Sequence, residues 1–565
     1  MTDSAVHPPT SPTPEPPSAD LEATFARWGR PPEPVDLTPA AREFLASEVG
    51  VAAPTPPTPV TQVEPPPSRL PEDVRSDLVA VLGSDHVRTD RVARLAHTGG
   101  LSYVDLVRRR RGDVSDAPDA VLLPASHDEV EALLAVCVRH GVAVVPFGGG
   151  TSVVGGVRPV ADGFGAVVSV AFDRMAALLE VDEESLLATV GPGITGPTLE
   201  RLLAARGLTL GHLPQSWERA TIGGYVATRS AGQASSGYGR SDEMVESLRV
   251  ATPAGSLHLG RAPSSAAGPD LRQLFVGGEG VLGIITEVTL RVRHLPAYSR
   301  YEGVMFPSYA AGIAAFRALL QAGLRADVMR LSDEEETAAT LMMSGPSGRT
   351  GQAFGAYLKA RKVEHGSLVI LGWEGLSARA VGARRTPAWA LLRQHGAVPL
   401  GRRVGESWRH GRFSGPFLRD RLMDDGYLVE TLETATTWNR LLPLHETVLT
   451  TLKGALRSAD GGPGPYVMSH VSHVYETGAS LYVTVLARAD AADPAEQWRA
   501  AKRAVGDAIA GSGATITHHH AVGLDHEPWM RAEVGDLGLD VLRAVKATVD
   551  PTGILNPGKL IPPRD

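Results

Sequence analysis

A single cysteine, Cys137, serves all 565 residues, so the chain forms no internal disulfide, and a cytoplasmic setting is expected. Cys137 lies in an apolar helical pattern and reads as a small core residue. No apolar run reaches the ~18 residues that a membrane-spanning helix needs. Positive charge is not in surplus: 55 Lys and Arg stand against 63 Asp and Glu, for a net charge of -8. Nucleic acid is therefore not an expected partner, and the run Arg108–Arg111 reads as a solvated helix end. The N-terminus lacks the basic and apolar regions of a signal peptide, and Pro562-Pro-Arg-Asp565 is not a peroxisomal address. No Gly-Lys-Ser/Thr follows a glycine loop, which excludes a Walker site. No G-x-G-x-x-G opens a helix in the way a Rossmann dinucleotide site requires.

What the chain does have is glycine, 61 residues of it, gathered into loops. The first loop is Pro146-Phe-Gly-Gly-Gly-Thr-Ser152, after the apolar strand pattern Val142–Val145. Successive N–H groups in such a turn form an anion site suited to a pyrophosphate, and a ligand-free turn is the plain alternative. The second is the long polar loop Gly211–Gly224, unusual inside a domain unless functional. The third, Gly277-Gly-Glu-Gly-Val-Leu-Gly283, feeds a β-branched strand. Three separated glycine loops argue for one extended ligand lying across all of them.

The organisation follows from composition. Residues 1–20 are a Pro-rich tail expected to be disordered. Residues 21–115 form a helical region with a Pro-rich linker: Leu21–Trp28 has helical spacing and Thr38 caps a helix start. Strand and helix patterns alternate over 116–297, and Ser126 caps a helix running to His140. Residues 298–530 read as an α+β unit, and 531–565 as an amphipathic helix with a tail.

Four segments carry a family resemblance: PFGGGTS, the TIGG loop at Thr221–Gly224, GGEGVLGIITEVTL at Gly277–Leu290, and DPTGILNPGK at Asp550–Lys559. With them the chain resembles the FAD-linked oxidase family of the vanillyl-alcohol oxidase type. Further matches are Leu101–Asp119, GHLPQSWERATIGG at Gly211–Gly224, MRLSD at Met329–Asp333, FLRD at Phe417–Asp420, YETGASLY at Tyr475–Tyr482 and THHHAVG at Thr517–Gly523. These resemble the alkyldihydroxyacetonephosphate synthase subgroup, and the match runs from about residue 85 to the end.

The resemblance implies an α+β fold: a two-subdomain FAD-binding domain (116–297), an α+β cap (298–530), a helical N-terminal region, and a C-terminal tail returning to the FAD site. It implies FAD held by Pro146, Phe147, Gly148, Gly149, Gly150, Thr151 and Ser152. A second wall would be Gln215, Ser216, Trp217, Glu218, Arg219, Ala220, Thr221, Ile222 and Gly223. Thr228, Arg229, Ser230 and Ala231 would join Glu279, Gly280, Val281, Leu282, Gly283, Ile284 and Ile285 to complete the site. Covalent members tether FAD through a His near the first loop; Gly148–Ser152 contain none, so non-covalent FAD is expected.

The residues that would do chemistry lie elsewhere. Histidine suits proton transfer near neutral pH. His518, His519 and His520 are catalytic by resemblance, with His519 the principal base. Read as a strand, the triplet alternates faces and cannot jointly chelate one ion, so no metal is expected. Tyr482, in an apolar strand, matches the catalytic tyrosine; a core tyrosine is its residue-level alternative. Arg419 and Arg330 match substrate-facing positions, where a guanidinium suits an anionic headgroup; surface ion pairs are their alternative. His212 is a substrate contact or a structural hydrogen bond.

The implied reaction exchanges the acyl group of acyl-dihydroxyacetone phosphate for a fatty alcohol, with flavin N5 as a covalent trap. Departures exist: Gln215 and Trp217 stand where the subgroup has acidic and small residues, and the NPGK ending is that of 2-hydroxyacid oxidases. An FAD-dependent 2-hydroxyacid or alcohol dehydrogenase is therefore the rival reading, and a non-catalytic flavin or lipid binder a third. The partner is a small lipid or hydroxyacid. Peripheral membrane contact and a homodimer are left open.

Overall fold

The computed structural model describes residues 21–31, 35–344, 348–458 and 460–564. The tail expected to be disordered, 1–20, lies outside them. Among the described residues three large sheets, each with its own core, and a two-stranded ribbon of Leu208–Thr209 with Arg293–His294 build the molecule.

The first sheet has four strands in the order Val87–Arg88, Ala120–Leu122, Ala166–Ala171, Val142–Phe147. The last three are parallel and buried almost throughout, so their sequences are continuously apolar. The helix His127–His140 covers this sheet; Ser126 Oγ accepts from the Glu129 N–H, and left-handed Gly141 ends it. Cys137 is buried on its core side, where burial pushes the thiol up to about 12. The C-terminal chain returns here. Leu555 bridges Val144, whose N–H donates to Ile554 O at 2.8 Å, while Asn556 N–H donates to Val144 O at 2.8 Å.

The second sheet is antiparallel, in the order Leu178–Asp182, Leu187–Val190, Ile284–Arg291, Val245–Thr252, Gly255–Leu259. The third is antiparallel with seven strands: Val398–Gly401, Tyr298–Phe306, Ser367–Gly375, Val328–Ser332, Tyr466–Val471, Gly478–Arg488 and the edge strand Tyr427–Thr437. The helices Tyr309–Gln321, Ala378–Gln394, Trp438–Ala455 and Pro494–Gly511 pack on one of its faces around Trp373 and Trp498. Side chains alternate along a strand. Leu331, Leu432, Val471, Leu481 and Val483 therefore enter the helix-side core, and Arg330, Thr431, Glu433, His470 and Tyr482 project from the opposite face.

Two sequence expectations change. Leu21–Trp28 is helical only over Leu21–Thr24; Trp28 then breaks away and is buried against the third sheet's core. The run Arg108–Arg111 is not a solvated helix end: Arg109 and Arg110 are buried, and Arg110 donates to Asp424 Oδ1 at 2.6 Å. The C-terminal helical stretch Met530–Val549 is two helices joined at Gly535, which has φ 70°. Among the described residues no helix is long and apolar enough to cross a membrane.

Candidate functional site

The three glycine loops meet. Pro146, Phe147, Gly148 and Ser152 line one cleft with Thr221, Gly223, Thr228, Glu279, Gly280, Gly283, Ile284 and Ile285. Gly156 and Gly224 line it too, as do Val157, Phe172, Pro192 and Ala227, which sequence reasoning missed because none of these four sits in a recognisable motif. The glycines are contact points. A Cβ at Gly149 would stand 2.0 Å from Arg219 O, and one at Gly280 would stand 2.6 Å from Pro146 Cγ. Side chains there would separate the loops and fill the cradle. Thr221 Oγ1 caps the short helix Ile222–Ala227 by accepting from Gly224 N–H at 3.3 Å, which aims a helix start at the cleft.

Other members of the second wall do not line the cleft but hold it. Trp217 stacks on Phe413 at 5.5 Å. Gln215 accepts from Gln233 at 3.3 Å. Arg219, brought by burial down to about 10, donates to Trp28 O. Burial raises Glu218. Arg229, just past the helix Ile222–Ala227, donates to Val276 O at 3.0 Å at the foot of the third loop. Ser216, Ala220, Ile222, Ala231, Val281 and Leu282 lie beside these without lining the cleft, as do Gly150 and Thr151 in the first loop, while Ser230 Oγ lies 3.1 Å from His212 Nε2.

Glu279 connects the cleft to the histidines. Its carboxylate accepts Val522 and Gly523 N–H, both at 2.8 Å. Burial pushes it up to about 7, against those two bonds. Buried Lys559, likewise displaced by burial, to about 7, interacts with it. Val522 lies two residues past the triplet, so Glu279 ties the third loop to the segment that carries the histidines.

The triplet is not in a strand. It forms a turn whose N–H groups find a carboxylate instead of a neighbouring strand, so the face-alternation argument does not apply. Glu433 Oε1 accepts from His518, His519 and His520 N–H at 2.8, 2.9 and 3.0 Å, and from Thr517 Oγ1 at 2.7 Å. Glu433 is 1% exposed. The histidines hold it well below the usual carboxylate range despite its burial. It lies directly opposite Tyr482 in the strand pairing. Sequence reasoning passed over Glu433, since Glu430 and Glu433 in the strand YLVETLETATT match no motif; two carboxylates in a buried strand were the available signal.

Within the turn, His518 Nδ1 is 2.9 Å from His519 Nδ1, and His518 Nε2 is 2.6 Å from Tyr475 Oη. Burial drives His518 well below the usual histidine range and His520 to about 3. His473, His518 and His519 bring ring nitrogens within 4.8 Å of one another, a spacing that could hold a metal. Several of those nitrogens are engaged: His473 Nδ1 with Ser235 Oγ at 2.6 Å, and the His518 nitrogens as described.

Tyr482 donates to Thr431 Oγ1 at 3.1 Å, and burial pushes it up to about 12. Its ring lies 4.8 Å from His470, 6.0 Å from His519 and 5.5 Å from His520. Arg330 shares this face, but its guanidinium is engaged by Glu336 at 2.6 Å and by His470 at 2.9 Å. His212 is buried and brought by burial down to about 3. Its Nε2 is 3.1 Å from Ser230 Oγ, and its Nδ1 has no partner. Arg419 stands apart, on the helix Gly415–Asp424. It donates one bond, to Leu101 O at 3.1 Å; its Nε and Nη2 are buried without partners, as is Glu430 Oε2. Glu430 feels Arg419 and is in turn felt by Tyr482. A buried guanidinium with free N–H groups fits an incoming anion.

Comparison with known proteins places this geometry. Residues 118–260 match the family described as FAD binding domain, and 295–560 match FAD linked oxidases, C-terminal domain. The fold is that of p-cresol methylhydroxylase at TM-score 0.65 and 16% identity, over 86% of this chain and 96% of that one. Fold and cleft thus define a class: a flavoprotein of the vanillyl-alcohol oxidase type, with FAD as its cofactor.

Within that class the likeness sharpens. The chain is 34% identical over 516 residues to alkyldihydroxyacetonephosphate synthase of Dictyostelium discoideum, covering 89% of this chain and 84% of that protein. A solved alkyldihydroxyacetonephosphate synthase superposes at TM-score 0.80 with 31% identity, over 92% of each chain. The chain belongs to the alkyldihydroxyacetonephosphate synthase family.

Proposed function

We propose that this protein exchanges the acyl group of an acyl-dihydroxyacetone phosphate for a fatty alcohol and so forms an ether lipid precursor. One observation carries the reading: a proton-handling turn pinned by Glu433 opposite Tyr482 is tied through Glu279 to the FAD cleft. FAD, when bound, supplies an electrophilic ring nitrogen for the substrate carbon. The remaining work falls to side chains. His519 Nε2 takes the C1 proton, since its Nδ1 already faces His518 and Glu433. Tyr482 stays protonated near neutral pH and hydrogen-bonds the departing carboxylate. The partnerless Arg419 N–H groups take the phosphate. Arg330 orients His470 beneath Tyr482, and His212 borders the site.

We read residues 116–297 as the FAD-binding domain, 298–530 as the cap and 531–565 as the returning tail. FAD is held non-covalently, since no His or Cys lines the cleft; acid precipitation should release the yellow colour into the supernatant. The buried single thiol fits a cytoplasmic compartment.

The test is anaerobic flavin spectroscopy beside an isotope exchange assay. Acyl-dihydroxyacetone phosphate should exchange labelled fatty acid, and 2-hydroxyacids should leave the flavin oxidised. Rapid bleaching by a 2-hydroxyacid, without fatty acid exchange, would replace this reading with a dehydrogenase.

A further inference from the structure

His519 faces inward to Tyr482, yet it is the inner end of a chain of groups that leads out of the site. Its Nδ1 lies 2.9 Å from His518 Nδ1. Two ring nitrogens at that distance share one proton, because two lone pairs or two N–H groups would repel. His518 Nε2 lies 2.6 Å from Tyr475 Oη. Tyr475 is half-buried, follows strand Tyr466–Val471, and lies against Arg240, itself half-buried at the FAD-domain rim. The other charges facing Tyr475 are Glu243 and Asp242. Glu433 Oε2 stands 3.4 Å from His519 Nδ1 and 3.9 Å from His518 Nδ1, so it stabilises positive charge on either ring. His473 flanks the chain without joining it, its Nδ1 being 2.6 Å from Ser235 Oγ.

We propose that His518 and Tyr475 are the route by which the proton taken up at His519 exchanges with solvent. The proposal rests on the reading of His519 as base. As His519 Nε2 gains a proton, its Nδ1–H passes to His518 Nδ1. His518 Nε2–H passes to Tyr475 Oη, and the original Tyr475 hydroxyl proton leaves to water. One proton crosses, only N–H and O–H bonds change, and the reverse passage resets the tautomers. Burial makes His518 a poor store of charge and raises Tyr475 to about 12, so both groups carry the proton only in transit. Tyr475 acts on substrate only through the two histidines.

The experiment uses the full chain with FAD in D₂O, with palmitoyl-dihydroxyacetone phosphate and no alcohol. Deuterium entering C1 is measured by mass spectrometry, and exchange of labelled palmitate into the ester is measured in parallel. Y475F should lower the ratio of deuterium incorporation to palmitate exchange at least tenfold, and Y475H, which keeps a proton-carrying group, should restore it. Ratios are taken per bound flavin, with Y475M as a second non-relaying variant should Y475F fold poorly. An unchanged ratio in the non-relaying variants overturns the relay. Wild-type protein that exchanges neither label overturns the underlying function instead.

Discussion

At the scale of single residues, the site depends on groups whose ordinary behaviour burial has altered. Tyr482 is the clearest case. Its hydroxyl remains protonated at neutral pH and touches only Thr431, so removing it should leave packing and FAD content intact. Tyr482→Phe is expected to slow fatty acid exchange about 10²-fold or more, the usual worth of a positioned proton donor, while the flavin absorbance stays at the wild-type level. Glu433 has a different character, since it is both anchor and counter-charge. Glu433→Gln removes the charge and turns an amide toward N–H groups that need an acceptor. Stability should fall by about 3 kcal/mol in urea unfolding, and exchange should fall with it. Unchanged stability would show that the turn holds itself.

At the scale of elements, the glycine loops and the histidine turn behave as units. Gly149→Ala places a methyl 2.0 Å from Arg219 O, so the first two loops must part. Bound FAD per chain should drop at least about tenfold by absorbance, since nothing at that contact can yield without moving backbone. The histidine turn predicts an acid limit. His520 and His526 sit at about 3 and about 4, and His518 lies well below its ordinary value, all chiefly through burial. Their folded affinity for protons is depressed. They contribute stability in full above the unfolded value of ~6.5 and lose it as pH falls toward 3–4. In that window the unfolded chain binds more protons than the folded one, so stability rises with pH. Thermal midpoints should therefore decline steadily from about pH 6.5 to pH 4. A flat profile there would mean that these rings are solvated.

At the scale of the whole molecule, a short N-terminal segment joins the seven-stranded sheet to the second glycine loop. Trp28 is 6% exposed within that sheet's core, its backbone N–H donates to Asp420 Oδ2 at 2.6 Å, and its carbonyl accepts from Arg219 of the second loop. Trp28→Ala should cost about 3–5 kcal/mol, as deletion of a buried tryptophan does, and should weaken FAD retention as well. Normal FAD retention in that variant would confine the role of Trp28 to the core of the seven-stranded sheet.

Much of this was legible from residues in order. Glycine spacing after apolar strands marked the three loops that meet at the cleft, because backbone turning and close approach depend on local chain chemistry. Ser126, Thr38 and Gly141 mark helix ends for equally local reasons. Other features belong to the tertiary structure alone. Glu433 becomes the anchor of the histidine turn only because strand Tyr427–Thr437 passes beneath residues 85 positions later. Arg330 is spoken for, and Arg419 keeps two unpartnered nitrogens, only because of what packs beside each. The turn itself escaped strand geometry because one buried carboxylate satisfied its donors, and hydrogen-bond satisfaction is a property of space, not of neighbours in sequence.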